Sequence, residues 1–248
     1  MIFFYSKKIL STFLINSTNS SKLVKSLAFT VTATDTSLSS SQYAILFQPI
    51  EGLNVSDLAW GSASAVSITL SFWVHSSVTG NYGVAFRNSA GDRSYVASYT
   101  VNSANTFEYK TVTIPGDTSG TWVYNSQAGI YVNFNLGTGS TYLSTAGSWS
   151  SNYYLGATGS VSVVGTNAAT FYITGVQLEA GTAASPFENR LYGTELQLCQ
   201  RYCEIQGNVS SFYVSPGAGY ASRYYAYVPY KVTKRAAATV TTYGTGGY

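Results

Sequence analysis

The chain has 248 residues, 45% of them apolar and 15% aromatic, but only 9% charged, where soluble domains usually carry about 25%. Thirteen Lys and Arg against ten Asp and Glu leave a formal net charge of +3. That balance excludes disorder driven by charge excess and leaves no dense basic footprint for nucleic acid, the tightest cluster being Lys231, Lys234 and Arg235.

Residues 1–26 differ in character from the rest of the chain. The stretch MIFFYSKKILSTFLI puts an apolar triplet before Lys7 and Lys8, with a short, interrupted apolar run after them. A signal peptide has its charge first and a longer apolar core behind it, so a first strand, or a start set upstream of the domain, is the expectation. No run reaches the about 20 apolar residues of a membrane-spanning helix, and no membrane insertion is expected.

From residue 27 onward, period-two alternation dominates. In SITLSFWVH (67–75), Ile68, Leu70, Phe72 and Val74 share one face and Thr69, Ser71, Trp73 and His75 the other. In GIYVNFNL (129–136), Ile130, Val132, Phe134 and Leu136 alternate with Tyr131, Asn133 and Asn135. FEYKTVTI (107–114) and TFYITGVQL (170–178) repeat the pattern, with Gly175 shifting the phase of the latter from Phe171 and Ile173 to Val176 and Leu178 as a β-bulge would. Further strands are predicted near 27–33, 42–50, 83–87, 93–101 and 153–163. Turns fall at Thr79-Gly80-Asn81, Ala90-Gly91-Asp92, Pro115-Gly116-Asp117 and Gly137-Thr138-Gly139. Eight to ten strands, each with one apolar face, predict a two-sheet sandwich.

Past Glu179 the pattern changes to a loop around Gly181 and Pro186 and then a helix, with Thr194 as its cap and Glu195 in its first turn. Leu196, Cys199, Tyr202 and Cys203 follow helical spacing. Cys199 and Cys203 are too closely spaced on a helix for an unstrained disulfide, and the single histidine is distant in sequence, so both cysteines read as small buried side chains. A last strand-rich region, 206–248, is crowded with tyrosine and stops at TTYGTGGY with no closing strand; truncation is the expectation.

Three stretches, LAWGSASAVSITLSFWVHSS (58–77), YKTVTIPGDTSGTW (109–122) and FYITGVQLEAGTAASPFENRLYGTELQLCQRYC (171–203), resemble bacteriophage tail-fibre or tail-associated virion proteins of the marine and cyanobacterial phage type. The resemblance implies an all-β architecture. Its parts would be a jelly-roll β-sandwich similar to carbohydrate-binding modules over 27–180, a loop and helix connector over 181–205, and a partial C-terminal β tip over 206–248. It also implies a homotrimer on the virion, in company with other phage tail proteins and in contact with a host cell-surface glycan.

The residues agree with a binding role more than with catalysis. The ten acids are scattered and no two form the carboxylate pair of a glycosidase. His75 has no GxSxG elbow to serve, and no phosphate-binding loop occurs, so no catalytic residue is assigned. Sugar binding asks for flat aromatic faces and amide, hydroxyl or guanidinium partners, and Trp73, His75, Arg87, Tyr131, Asn133 and Asn135 are the candidate glycan face. Packing against loops or a neighbouring protomer is the alternative for each. Trp60 and Trp122 read as core or edge packing. Calcium would want carboxylates near 171–179, where only Glu179 stands, so neither metal nor cofactor is assigned. Leu196, Cys199 and Tyr202 are candidate oligomer-interface residues, with packing between the two β regions as the alternative.

Overall fold

The computed structural model describes residues 3–5, 15–16, 26–188, 190–205, 215–216, 224–225 and 229–241. Two compact units emerge, Ile2–Glu188 and Asn189–Tyr248 with Met1.

Alternation becomes two antiparallel sheets in the first unit. The first sheet contains β1 (Phe3–Tyr5), β4 (Tyr43–Glu51), β6 (Gly80–Arg87), β7 (Ser94–Val101), β9 (Ala128–Thr138) and β11 (Trp149–Ser150), ordered β1-β4-β9-β6-β7-β11. The second contains β2 (Ile15–Asn16), β3 (Ser26–Thr30), β5 (Ile68–Ser76), β8 (Glu108–Ile114) and β13 (Thr170–Ala180), ordered β2-β3-β13-β5-β8. Sequence neighbours β4 and β5 lie in different sheets, which makes this a sandwich and not a meander.

The inward rows meet between the sheets. Phe72, Val74, Tyr82, Val84, Phe86, Ile114, Ile130, Leu136 and Phe171 are all at most 1% exposed and belong to one core cluster. Such burial contributes about 1.5–3 kcal/mol for each large side chain. Phe72 stands edge-on to Tyr99 and Phe134, with centroids 5.0 and 5.2 Å away, the offset arrangement that aromatic quadrupoles favour. Tyr82 is fully buried because its hydroxyl is satisfied, donating to Val78 O at 2.6 Å and pairing with Ser76 Oγ at 2.8 Å.

Gly175 behaves as its spacing predicts. The register of β13 against β5 shifts between Thr174 and Gln177, and Gly175 takes φ 58°, a left-handed conformation open to glycine. Beyond the bulge Leu178 packs on the core, whereas Val176 is exposed.

One end of the sandwich is closed by tryptophan. Trp60, Trp122 and Trp149 contact one another edge-on, with centroids 4.6–5.6 Å apart, and the indole N–H groups donate to Val66 O, Ser119 O and Pro115 O. Trp60 and Trp122 are buried, as expected of packing residues. Beside them Arg93 grips Asp117 through two hydrogen bonds, Nε to Oδ2 at 2.7 Å and Nη2 to Oδ1 at 2.6 Å.

Three local expectations fail. The strand predicted over 153–163 reduces to β12 (Gly156–Ala157), paired parallel with β10 (Leu143–Ser144). The chain turns at Gly159, whose φ is 81°, and Val163 and Val164 reach the core from irregular backbone. In the second unit, α1 spans Tyr192–Gln200 and starts two residues before Thr194. The Glu195 N–H already bonds Leu191 O at 3.1 Å, which puts Thr194 inside the first turn, so it is no cap. Cys199 and Cys203 are free thiols and exposed, not buried. The helix buries only Gln200, too little apolar contact to cover them.

Most of the β tip expected over 206–248 lies outside the described residues. Within it, β14 (Ser215–Pro216) pairs antiparallel with β15 (Tyr224–Tyr225), and 229–241 carries no strand. Among the described residues no helix is long and apolar enough to cross a membrane.

Candidate functional site

The candidate glycan residues fall on opposite faces of the sandwich. Trp73 and His75 point outward from β5 in the second sheet, whereas Arg87 on β6 and Tyr131, Asn133 and Asn135 on β9 point outward from the first. Alternation separates in from out, yet it does not say which sheet a strand joins. The six residues therefore form two separate groups.

On the first sheet, cross-strand register sets Arg87 directly opposite Tyr131 and Asn133 opposite both Ala85 and Phe47. Residues 142–157 then fold back over part of this face. The close approach needs glycine on both surfaces: a Cβ on Gly83 would lie 2.6 Å from Ala157 N, and one on Gly156 would lie 2.3 Å from the Asn135 amide. Ala85, Val96 and Ala157 make a small second apolar cluster beneath this cover, with Ala146 and Tyr154 against it. Gly147 N–H bonds Val96 O at 2.9 Å, and Ser94 Oγ donates to Asn152 O at 2.6 Å.

Arg87, half-buried, sits between the sheet and this cover. Its guanidinium carbon stands 3.8 Å from the ring centroid of Tyr131 on the sheet and 4.9 Å from that of Tyr153 on the cover, within cation–π range of both. Aromatic contacts continue outward on each side, with Phe47 6.1 Å from Tyr131, Tyr142 5.7 Å from Tyr153, and Tyr43 5.2 Å from Tyr142. Five rings thus form a chain of contacts, with one cation between its two inner members.

Burial lowers the Arg87 pKa from its ordinary value, against the opposing pull of Tyr153, Tyr131 and Tyr43. Arginine stays charged through such shifts. Nη1 donates to Asn88 O at 3.2 Å, and the buried Nε has no partner. Among the described residues no carboxylate pairs with Arg87, whereas Arg93, Lys110, Arg190 and Lys234 each have one.

The two asparagines are less available. Asn135 is 2% exposed, and its Oδ1 accepts from Gly137 N–H at 2.9 Å and Thr138 Oγ1 at 2.6 Å, a strand-end role. Asn133 is fully buried and donates to Ala85 O at 3.1 Å, leaving Oδ1 unpaired.

The second sheet shows a separate aromatic strip. Trp73 lies 5.4 Å from Tyr109, and His75 lies 5.0 Å from Phe107 and 4.9 Å from Tyr172. Burial holds the His75 pKa below its ordinary value, while backbone groups of His75 and Asn105 pull the other way. Leu196, Cys199 and Tyr202 are exposed, in the second unit. No three His, Cys, Asp or Glu side chains cluster in metal-ligand fashion among the described residues.

Tyr43, Phe47, Tyr142 and Tyr153 were not singled out by sequence reasoning. Tyr142 and Tyr153 lie in Ser/Gly-rich stretches, STY and SSNYYLG, and a tyrosine among turn-forming residues is the signal that could have marked them.

No family model matches this chain, and no curated protein does. Among solved structures it is similar to the enzymatically active domain of tailspike protein 4 from bacteriophage CBA120, at 13% identity and a TM-score of 0.39, over 73% of this chain and 19% of that one. A structure described as a CBM4 overlaps 72% of this chain and 86% of its own at 14% identity and a TM-score of 0.39. The family 11 carbohydrate-binding module of Clostridium thermocellum, in complex with a mixed-linked tetrasaccharide, overlaps 73% of this chain and 89% of its own at 15% identity and a TM-score of 0.35. None of these overlaps places a ligand on this chain.

Proposed function

We propose that this chain is a non-catalytic, saccharide-binding component of a phage tail fibre or tail-associated assembly, displayed on the virion and touching a glycan of the host surface. One observation carries the binding part: on the outer face of the first sheet the half-buried Arg87 stands between Tyr131 and Tyr153, with Phe47, Tyr142 and Tyr43 extending the row of rings on either side. Pyranose rings offer C–H faces to aromatic rings and hydroxyls to tyrosine and guanidinium donors. Tyr131 and Tyr153 are the stacking residues and Arg87 the polar anchor. The virion setting, the homotrimer and the company of other tail proteins rest on the three stretches similar to phage tail proteins. The exposed Leu196, Cys199 and Tyr202 are the surface offered to a trimer seam.

A glycan array probed with the full chain tests the binding, with Tyr131→Ala and Tyr153→Ala as controls. Wild-type signal on host-surface glycans, lost at least tenfold in both variants, is the expected result. Retained binding in both variants would move the site elsewhere, and an array with no signal would leave a scaffold role. Incubation with the same glycans should release no new reducing ends; turnover would make the chain an enzyme. Sedimentation should give three times the chain mass.

A further inference from the structure

Two arginines, Arg93 and Arg87, compared side by side, point to the ligand chemistry of the Arg87 site. Arg93 uses the side-on edge of its guanidinium, Nε with Nη2, to hold both oxygens of the Asp117 carboxylate. This fork-to-fork geometry is the strongest guanidinium–carboxylate arrangement. Arg87 has the same edge without a partner: Nη1 is taken by Asn88 O, Nε is unpaired, and no bond from Nη2 occurs among the described residues. Its positive charge is half-buried between two tyrosine rings. A buried cation without an anion is costly, and the aromatic faces around it only partly offset that cost.

We infer that the Arg87 site takes an acidic saccharide, a sugar whose carboxylate docks on the unpaired side-on edge of Arg87 while its ring stacks on the flanking tyrosines. This rests on the saccharide-binding reading above and narrows it to uronate or sialate chemistry. Both parts of the site are needed. The edge of Arg87 supplies charge and bidentate geometry, and Tyr131 and Tyr153 supply faces that a free inorganic anion cannot use. Nε is buried and unpaired, so the second hydrogen bond needs a neighbour to move, and Tyr153, whose ring centroid is 4.9 Å from the guanidinium carbon, is the one that gives way. That ring sits on the irregular cover and not on a central strand.

The test is calorimetric titration of the full chain with galacturonate, guluronate, glucuronate and sialate oligosaccharides, each beside its carboxyl-reduced, neutral counterpart. At least one acidic ligand should bind tenfold or more tightly than its reduced form, the size of a charge-assisted hydrogen-bond pair. Arg87→Gln should bring that ratio close to one, and raising the salt should weaken the wild-type acidic complex while sparing the neutral one. The salt series needs no variant, so it decides the matter even if Arg87→Gln fails to fold. Equal binding of acidic and reduced forms overturns the acidic assignment and leaves the saccharide reading standing. Binding of neither form to any pair overturns both. Competition by sodium acetate alone, as effective as the oligosaccharide, reduces the site to a simple anion site and overturns the inference.

Discussion

Replacing Asp117 by alanine removes the anion from the end of the sandwich where the three tryptophans meet. Asp117 is 1% exposed, and its carboxylate takes both hydrogen bonds from Arg93, whose side chain is 14% exposed, plus the Ser119 N–H at 3.1 Å. Truncating one member of a buried pair typically costs about 3–5 kcal/mol, because the other charge is left behind. Arg93 is close enough to solvent to recover part of that, so about 3 kcal/mol is expected, a drop of roughly 6–12 °C in Tm for a unit of this size. Three of the four tryptophans lie in the contact network beside this pair, so denaturant unfolding followed by tryptophan fluorescence reads it directly. The discriminating variant is the double substitution Arg93→Met with Asp117→Ala. If the loss comes from a stranded charge, the double variant regains more than half of it. A single variant within about 0.5 kcal/mol of wild type, or a double variant no better than the single, would refute the reasoning.

Three further outcomes are expected. Burial pushes the Glu108 carboxyl upward, but Lys110 at 2.5 Å, Ser103 N–H at 2.7 Å and Asn102 prevail and hold its pKa at about 2, against an ordinary 4.5. A depressed folded-state value contributes stability that is complete above 4.5 and vanishes as pH falls towards 2. Denaturation midpoints of wild type should therefore fall more steeply across that window than those of Glu108→Gln; parallel curves would refute it. Gly83→Val places a methine carbon 2.6 Å from Ala157 N, so it should lift the cover, cost about 1–3 kcal/mol and weaken saccharide binding at least tenfold; unchanged binding would dissociate the cover from the site. Cys199 and Cys203 are exposed free thiols, so Ellman's reagent should titrate two thiols per native chain within minutes, and protection until denaturant is added would mean that both are covered.

The sequence carries more of the fold than of the site, for a physical reason. Period-two alternation reports burial, and burial is decided by each strand's own inward row, so 67–75, 129–136 and the phase shift at Gly175 could be read from local spacing alone. Which sheet a strand joins depends on partners distant in sequence. Trp73 and Tyr131 therefore share the same local signature while facing opposite ways. The cover over 142–157 is harder still, because it is held by backbone bonds such as Gly147 N–H to Val96 O and by the glycines that let it approach, and neither leaves a periodic trace. For the same reason local spacing predicts a strand from Tyr153 onward where the chain forms irregular cover. At α1, Thr194 resembled a cap by residue type, while the backbone had already closed the first turn at Leu191.

The division between sheet and cover also separates what can vary from what cannot. The core cluster lies beneath the first sheet and draws nothing from Tyr142 or Tyr153, so exchanging those side chains leaves the interior as it was. The aromatic wall on the cover can thus drift in sequence while the platform beneath, with its arginine, stays in place.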